Sequence, residues 1–214
     1  QRQMCIRDSV YTVLQNPVAL EKHARHQNQM TTTIAALKRD FDARGARHGD
    51  ASFRDVIAEK LPELLKNASF DPSIYQPKTA ALHGYGRYLL YSHPDPKQAF
   101  CLQIFAFAPK QKTPIHDHPN ECASHVTQGQ LWERLYVAQT GGNLARKERK
   151  IPRLLGSTEG FNAQELDIPH SLKNGAAEIA VTVHLYRDMD GVEENRQVAA
   201  KAMYQRLRDA PSNA

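Results

Sequence analysis

The sequence predicts a mainly β domain, closed into a small antiparallel barrel and carrying helices on either side of it. Three observations point there. Between residues 87 and 186, short runs rich in apolar and β-branched residues alternate with turn residues. Ahead of that stretch apolar residues fall at helical spacing, and after it the composition is again helical. Within the strand-rich part lie a His-x-His, at His116 and His118, and a third histidine, His170, about fifty residues further on.

Taken in order, residues 1–9, Gln-Arg-Gln-Met-Cys-Ile-Arg-Asp-Ser, match the translation of a transposon-type sequencing adapter. Residues 1–29 are therefore expected to be a non-native or disordered leader, with Met30 opening a single domain over 30–214. From Thr31 to Arg44 the residues Ile34, Leu37 and Phe41 recur at helical spacing. A second helix is expected from Ser52, whose hydroxyl can cap it together with Asp55. Ile57, Leu61, Leu64 and Leu65 continue its buried face, and Pro62 kinks or divides it, which makes 30–70 a helical segment. Strands are expected at 87–91, 100–107, 123–137, 146–153, 161–167 and 178–186. Asn174-Gly175 is a turn signal before the last strand, and 192–207 returns to helical composition as a closing helix.

Composition narrows the class. With 214 residues and 41% hydrophobic content the chain can bury one sizeable core. It has no apolar run of spanning length and no secretory signal, so no membrane partner and a cytoplasmic location are expected. Its three cysteines lack paired spacing, which fits a reducing compartment. The net charge of +5 is modest. Its densest cluster, Arg146, Lys147, Arg149, Lys150 and Arg153, reads as an exposed hairpin edge that discourages strand pairing. No nucleic-acid motif accompanies it. Nothing fixes the oligomeric state, and a monomer is compatible with the sequence.

The histidines carry the chemistry. Residues i and i+2 of a strand share a face, so His116 and His118 can chelate one ion while Asp117 points away. His170, preceded by Pro169 and followed by Asn174, would bring a third imidazole from a later strand. Three neutral imidazoles leave a divalent ion's charge uncompensated, which favours an anionic substrate. On the last strand Thr182, His184 and Tyr186 alternate with Val181, Val183 and Leu185, which gives one polar and one aliphatic stripe. A hydroxyl bonded to His184, and His184 to the phenol, would satisfy all three polar groups. The other histidines, His23, His26, His48, His83 and His93, lack ligand spacing and are expected to be solvated, and His125 could face either way.

Together these residues resemble the cysteine dioxygenase family of thiol dioxygenases, within the cupin superfamily, over most of the chain after about residue 80. His116, His118 and His170 match the family's three iron ligands, and Tyr85-Gly-Arg87 matches a Tyr-x-Arg whose arginine binds the substrate carboxylate. Thr182-Val-His184-Leu-Tyr186 resembles its Ser-x-His-x-Tyr strand, and Cys122 falls where some members carry a cysteine cross-linked to that tyrosine. The resemblance implies a double-stranded β-helix, or jelly-roll barrel, with one Fe(II) per chain. It also implies a small thiol carboxylate and O2 as partners, with L-cysteine oxidised to cysteine sulfinate. Tyr186, His184, Thr182 and Cys122 would then serve catalysis, and Arg87 with Tyr85 would bind substrate. Two departures leave the thiol open, 3-mercaptopropionate included. The loop from His118 to Cys122 is one residue shorter than in the mammalian-type pattern, and Arg187-Asp188-Met189 replaces the family's Ser-Pro-Pro. Cys122 could equally be a free buried thiol. Glu121 as a fourth ligand would instead suit a metal-dependent isomerase or a small-acid-binding protein.

Overall fold

The computed structural model describes residues 14, 16–44, 52–79, 82–94, 100–115, 122–138, 144–156, 158–160 and 170–187. They form three helices, α1 (Pro17–Ala43), α2 (Phe53–Glu59) and α3 (Leu61–Asn67), and eight strands. The strands are β1 (Gly86–Ser92), β2 (Phe100–Phe107), β3 (Cys122–Gln128), β4 (Leu131–Ala138), β5 (Leu144–Arg153), β6 (Thr158–Gly160), β7 (His170–Lys173) and β8 (Ala180–Arg187). All pair antiparallel, in a five-stranded sheet ordered β1-β2-β8-β3-β6 and a three-stranded sheet ordered β5-β4-β7. The expected strand at 161–167 and the expected closing helix at 192–207 lie outside the described residues. Among the described residues no helix is long and apolar enough to cross a membrane.

Alternation along the strands builds three layers. Leu90, Leu102, Ile104, Val181, Val183 and Leu185 point to one face of the larger sheet, where they pack with Met30, Ile34, Ile57, Leu61 and Leu64 of the helices. Phe105 and Phe107 point to the other face and meet Leu131 and Leu172 of the smaller sheet. Strand β2 is consequently buried along its whole length. The single strand expected over 123–137 is two, because Gly129 takes φ +68° and turns the chain. A side chain there would meet the backbone of Ile179 and Ala180. Asn174 is fully buried, and its side-chain nitrogen donates to the carbonyls of Phe107 at 2.9 Å and Glu178 at 2.7 Å. It thereby ties the β7–β8 connection to the end of β2.

The helical layer differs from expectation at its start. The helix expected from Thr31 begins at Pro17, capped by Asn16, whose side chain accepts from the amide of Val18 at 2.9 Å. It runs through Met30 without a break. Residues before Met30 also make tertiary contacts. Leu14 is buried, Gln27 donates to the carbonyl of Leu89 on the edge strand β1 at 2.8 Å, and Lys22 pairs with Asp71 at 3.0 Å. The rest of the segment follows expectation. Ser52 and Asp55 form a capping box on α2, and Pro62, in the first turn of α3, divides the two short helices.

Two histidines of α1 are not solvated as expected. His26 is 4% exposed, and the Nδ1 atoms of His23 and His26 each lie 3.0 Å from the Tyr75 hydroxyl. That hydroxyl has one proton to donate, so one ring accepts from it while the other donates to it. Burial lowers His23 to about 4, helped by the neighbouring His26, and burial also lowers His26. Both rings are thus neutral in the fold, whereas unfolded histidine takes up a proton near pH 6.5. Unfolded chains bind more protons below that value, so stability is fully present above about pH 6.5 and falls as the pH drops towards 4. Urea denaturation at about pH 7 and about pH 5 is expected to show a lower midpoint in acid. In a His23→Gln, His26→Gln double variant that difference should shrink, and an undiminished difference would assign the acid sensitivity elsewhere.

Candidate metal centre

A small cavity lies between the two sheets, lined by Phe105, Cys122, Ser124, His184 and Tyr186 from the larger sheet. Thr113, Glu133, Arg153, His170 and Leu172 complete the lining. A wider groove between α1 and β1, bordered by Ile34, Lys38, Leu90 and Tyr91, holds none of the candidate catalytic, substrate-binding or metal-ligating residues. Chemistry is therefore concentrated in the inter-sheet cavity.

Strand register explains how its larger-sheet wall is built. Residue Tyr186 on β8 stands opposite Cys122 of β3 on one side and Cys101 of β2 on the other. Both cysteines are buried and neither is in a disulfide. Likewise His184 stands between Ser124 and Gln103. The polar stripe expected on β8 carries the expected hydrogen bonds, with Thr182 Oγ1 2.8 Å from His184 Nε2 and the Tyr186 hydroxyl 3.4 Å from Nδ1. Burial, with the Arg87 guanidinium adding to it, pushes His184 down to about 3. A neutral ring donates from one nitrogen and accepts at the other, so the Thr182-His184-Tyr186 line has a single direction of donation at a time. Burial raises the Tyr186 phenol well above its usual range, with the Cys122 thiol adding to that and Arg87 opposing it.

Arg87 borders this wall. Its guanidinium lies 5.3 Å from the centre of the Phe105 ring, and Nη2 donates to Gln103 Oε1 at 2.9 Å. Phe105 in turn stacks on His184 at 4.5 Å. Tyr85, two residues before Arg87, stacks on Phe107 at 5.0 Å, and burial raises its phenol. The structure thus brings Tyr85, Arg87, Cys122, Thr182, His184 and Tyr186 to one face of one sheet.

The opposite wall supplies His170, which is 3% exposed, and two residues that sequence reasoning passed over. His170 Nδ1 lies 2.5 Å from Glu133 Oε1, and Arg153 donates through Nε to Glu133 Oε2 at 2.9 Å, with its Nη2 reaching the same oxygen. Burial pushes the Glu133 carboxyl up, but the hydrogen bond from His170 and the pairing with Arg153 outweigh it and hold the group below the usual carboxylate range. Arg153 was expected on an exposed hairpin edge. The structure instead turns it inward, to 13% side-chain exposure, because Glu133 is a buried charge that requires a partner. A signal for Glu133 was present: it shares strand parity with Leu131 and Leu135, so the inward face of β4 carries a carboxylate. His125 has the opposite parity to Ser124 on β3 and pairs with Val183, which places it on the helix side.

His116, His118 and Glu121 lie outside the described residues. Of the described residues on either side of that segment, Thr113 and Cys122 line the cavity. Thr113 is pinned to β7, its amide donating to the Leu172 carbonyl at 2.9 Å and its hydroxyl accepting from the Leu172 amide at 2.9 Å. Among the described residues no group of three or more metal-ligating side chains is assembled. The chemistry of the donor present nevertheless fits a metal: a buried imidazole whose Nδ1 is held by a carboxylate is the arrangement that directs a metal bond to Nε2.

No family model matches the sequence, and no curated protein matches it. Solved structures do resemble the fold. An oxalate oxidase in complex with the substrate analogue glycolate aligns at a TM-score of 0.42 and 12% identity, covering 66% of this chain and 81% of its own. A cupin 2 conserved barrel domain protein from Salinispora arenicola aligns at 0.38 and 14%, covering 61% and 88%. A cupin superfamily protein from Desulfitobacterium hafniense aligns at 0.39 and 9%, covering 55% and 87%. Two of these three proteins are named as cupins, and similarity at this level carries no argument about this chain.

Proposed function

We propose that this chain is a cupin-type double-stranded β-helix holding one Fe(II) on His116, His118 and His170, and that it oxidises a small thiol carboxylate with O2. L-cysteine, giving cysteine sulfinate, is the first substrate choice and 3-mercaptopropionate the second. The observation that supports this reading is that His184 and Tyr186 line the cavity that also holds His170, with the Arg87 guanidinium against the ring of Phe105 from the same lining. Bound Fe(II) would supply open positions for a thiol and O2 and would favour the thiolate over the thiol. The protein's residues account for the rest. Arg87 offers a planar fork to a carboxylate, and its bond to Gln103 sets the direction of that fork. Tyr186 holds a proton on an oxygen that burial keeps from ionising, and His184 with Thr182 fixes the orientation of that hydroxyl. Phe105 and Leu172 exclude water from the space between the walls. A thioether between Cys122 Sγ and a ring carbon of Tyr186 belongs to the same proposal, its C–S bond replacing the S–H and one ring C–H with the two protons and two electrons passing to O2, and it is supported by the direct pairing of the two residues across β3 and β8.

Oxygen uptake by iron-loaded protein against cysteine, 3-mercaptopropionate and cysteamine tests the reading. Uptake is expected with the carboxylate-bearing thiols and only weakly with cysteamine. Arg87→Ala should lower kcat/KM for the acids by about 10- to 100-fold, the loss of a charge-assisted bond, and leave cysteamine unaffected. No uptake with any thiol would exclude the enzyme class, whereas uptake with 3-mercaptopropionate alone would change only the substrate.

A further inference from the structure

The three-stranded sheet places one charged or titratable residue from each strand in a diagonal line facing the cavity. On β4 Glu133 stands opposite Leu172 of β7 and Ile151 of β5, while His170 and Arg153 are the same-face neighbours one diagonal step away on either side. Diagonal neighbours are within reach of long side chains, and the hydrogen bonds described above close the line from Arg153 through Glu133 to His170. A buried glutamate–arginine pair alone is a poor stabiliser, since desolvation of the two charges offsets most of their attraction. Here the carboxylate divides its oxygens: Oε2 faces Arg153 and Oε1 faces the imidazole.

We infer that Glu133, held by Arg153, is the positioning residue that sets the tautomer and ring orientation of His170 for metal binding. The inference rests on the metal-centre reading above. A carboxylate can only accept, so the Nδ1 of a neutral His170 carries the proton and Nε2 carries the lone pair. Arg153 orients the carboxylate and offsets its charge, so His170 meets the metal as a neutral ligand on a fixed axis. Removing the carboxylate would let the ring rotate and exchange tautomers, which weakens the bond without touching the ligand itself.

Two measurements test this, and neither requires turnover. Nitrogen-15 NMR of the metal-free protein, labelled at histidine, should show His170 as the Nδ1–H tautomer in the wild type and a shift towards Nε2–H or a mixture in Glu133→Ala. Chelator competition with Co(II) should show affinity falling about 10- to 100-fold in Glu133→Ala, with Glu133→Gln, which can still accept through its carbonyl oxygen, between the two. Because Glu133→Ala removes the carboxylate that Arg153 faces, a double variant, Glu133→Leu with Arg153→Met, removes both charges together and is expected to fold while losing affinity like the alanine variant. Wild-type Co(II) affinity and an unchanged tautomer in folded variants would overturn the role of Glu133 alone. Wild-type protein that binds no Co(II), Fe(II) or Zn(II) would overturn the metal centre itself, and this inference with it.

Discussion

Replacing His170 with alanine is expected to abolish metal retention and to bring thiol-dependent oxygen uptake down to background. The loss should exceed the 10- to 100-fold seen when a residue that merely orients a ligand is removed, because the ligand itself goes. The variant also breaks the polar line at its end. Glu133 is 0% exposed and loses the partner of its Oε1, leaving that oxygen buried without the imidazole. Leaving a buried acceptor short of a donor costs about 1–3 kcal/mol. Metal analysis after loading and desalting, together with urea denaturation of the metal-free protein, separates the two effects. A variant that keeps one equivalent of metal would show that His170 is held by Glu133 for a structural purpose.

Deleting residues 1–29 is the second change with a large expected effect, and the outcome anticipated is loss of the folded state. The deletion takes away Leu14, the Asn16 cap and the first half of α1. Burying one leucine contributes about 1.5–3 kcal/mol. With His26 gone, Tyr75 keeps a buried hydroxyl without its ring partners, and the amide of Asp71 loses the His26 Nε2 acceptor, which adds about 1–3 kcal/mol for each unsatisfied group. The sum approaches the whole stability of an ordinary domain. Circular dichroism and a thermal melt of the truncated chain decide it, and a cooperative transition near that of the full chain would support Met30 as the domain start.

Much of the architecture was legible where a rule has a single reading. The Ser52–Asp55 box, the division at Pro62 and the span of β2 came from capping chemistry, proline's missing donor and an unbroken apolar run. The two stripes of β8 followed from period-two alternation. The start of α1 was hidden for a different reason. Asn16-Pro17 is an ordinary start signal, but the adapter-like residues 1–9 led the whole stretch before Met30 to be set aside. Strands β6 and β7, of three and four residues, are too short for periodicity to register. Glu133 and Arg153 were missed because charge normally marks a surface, and only a contact between strands separated in sequence turns both inward. His26 was set aside for its lack of ligand spacing, although its role is to bond a tyrosine 49 positions away.

Strand β2 acts as a party wall. Leu102 and Ile104 face the helices, while Gln103 and Phe105, their immediate neighbours in the chain, face the cavity. No layer of solvent or loose side chains cushions one side from the other, so a displacement of the backbone is shared by both. A void opened under α1 by Ile104→Ala would therefore alter the aim of Arg87, which is held through Gln103, and the ring of Phe105 against His184. Helices that touch no substrate thus tune the site through the thickness of one peptide strand, and warming that loosens the helical layer should blunt the chemistry before the sheets come apart.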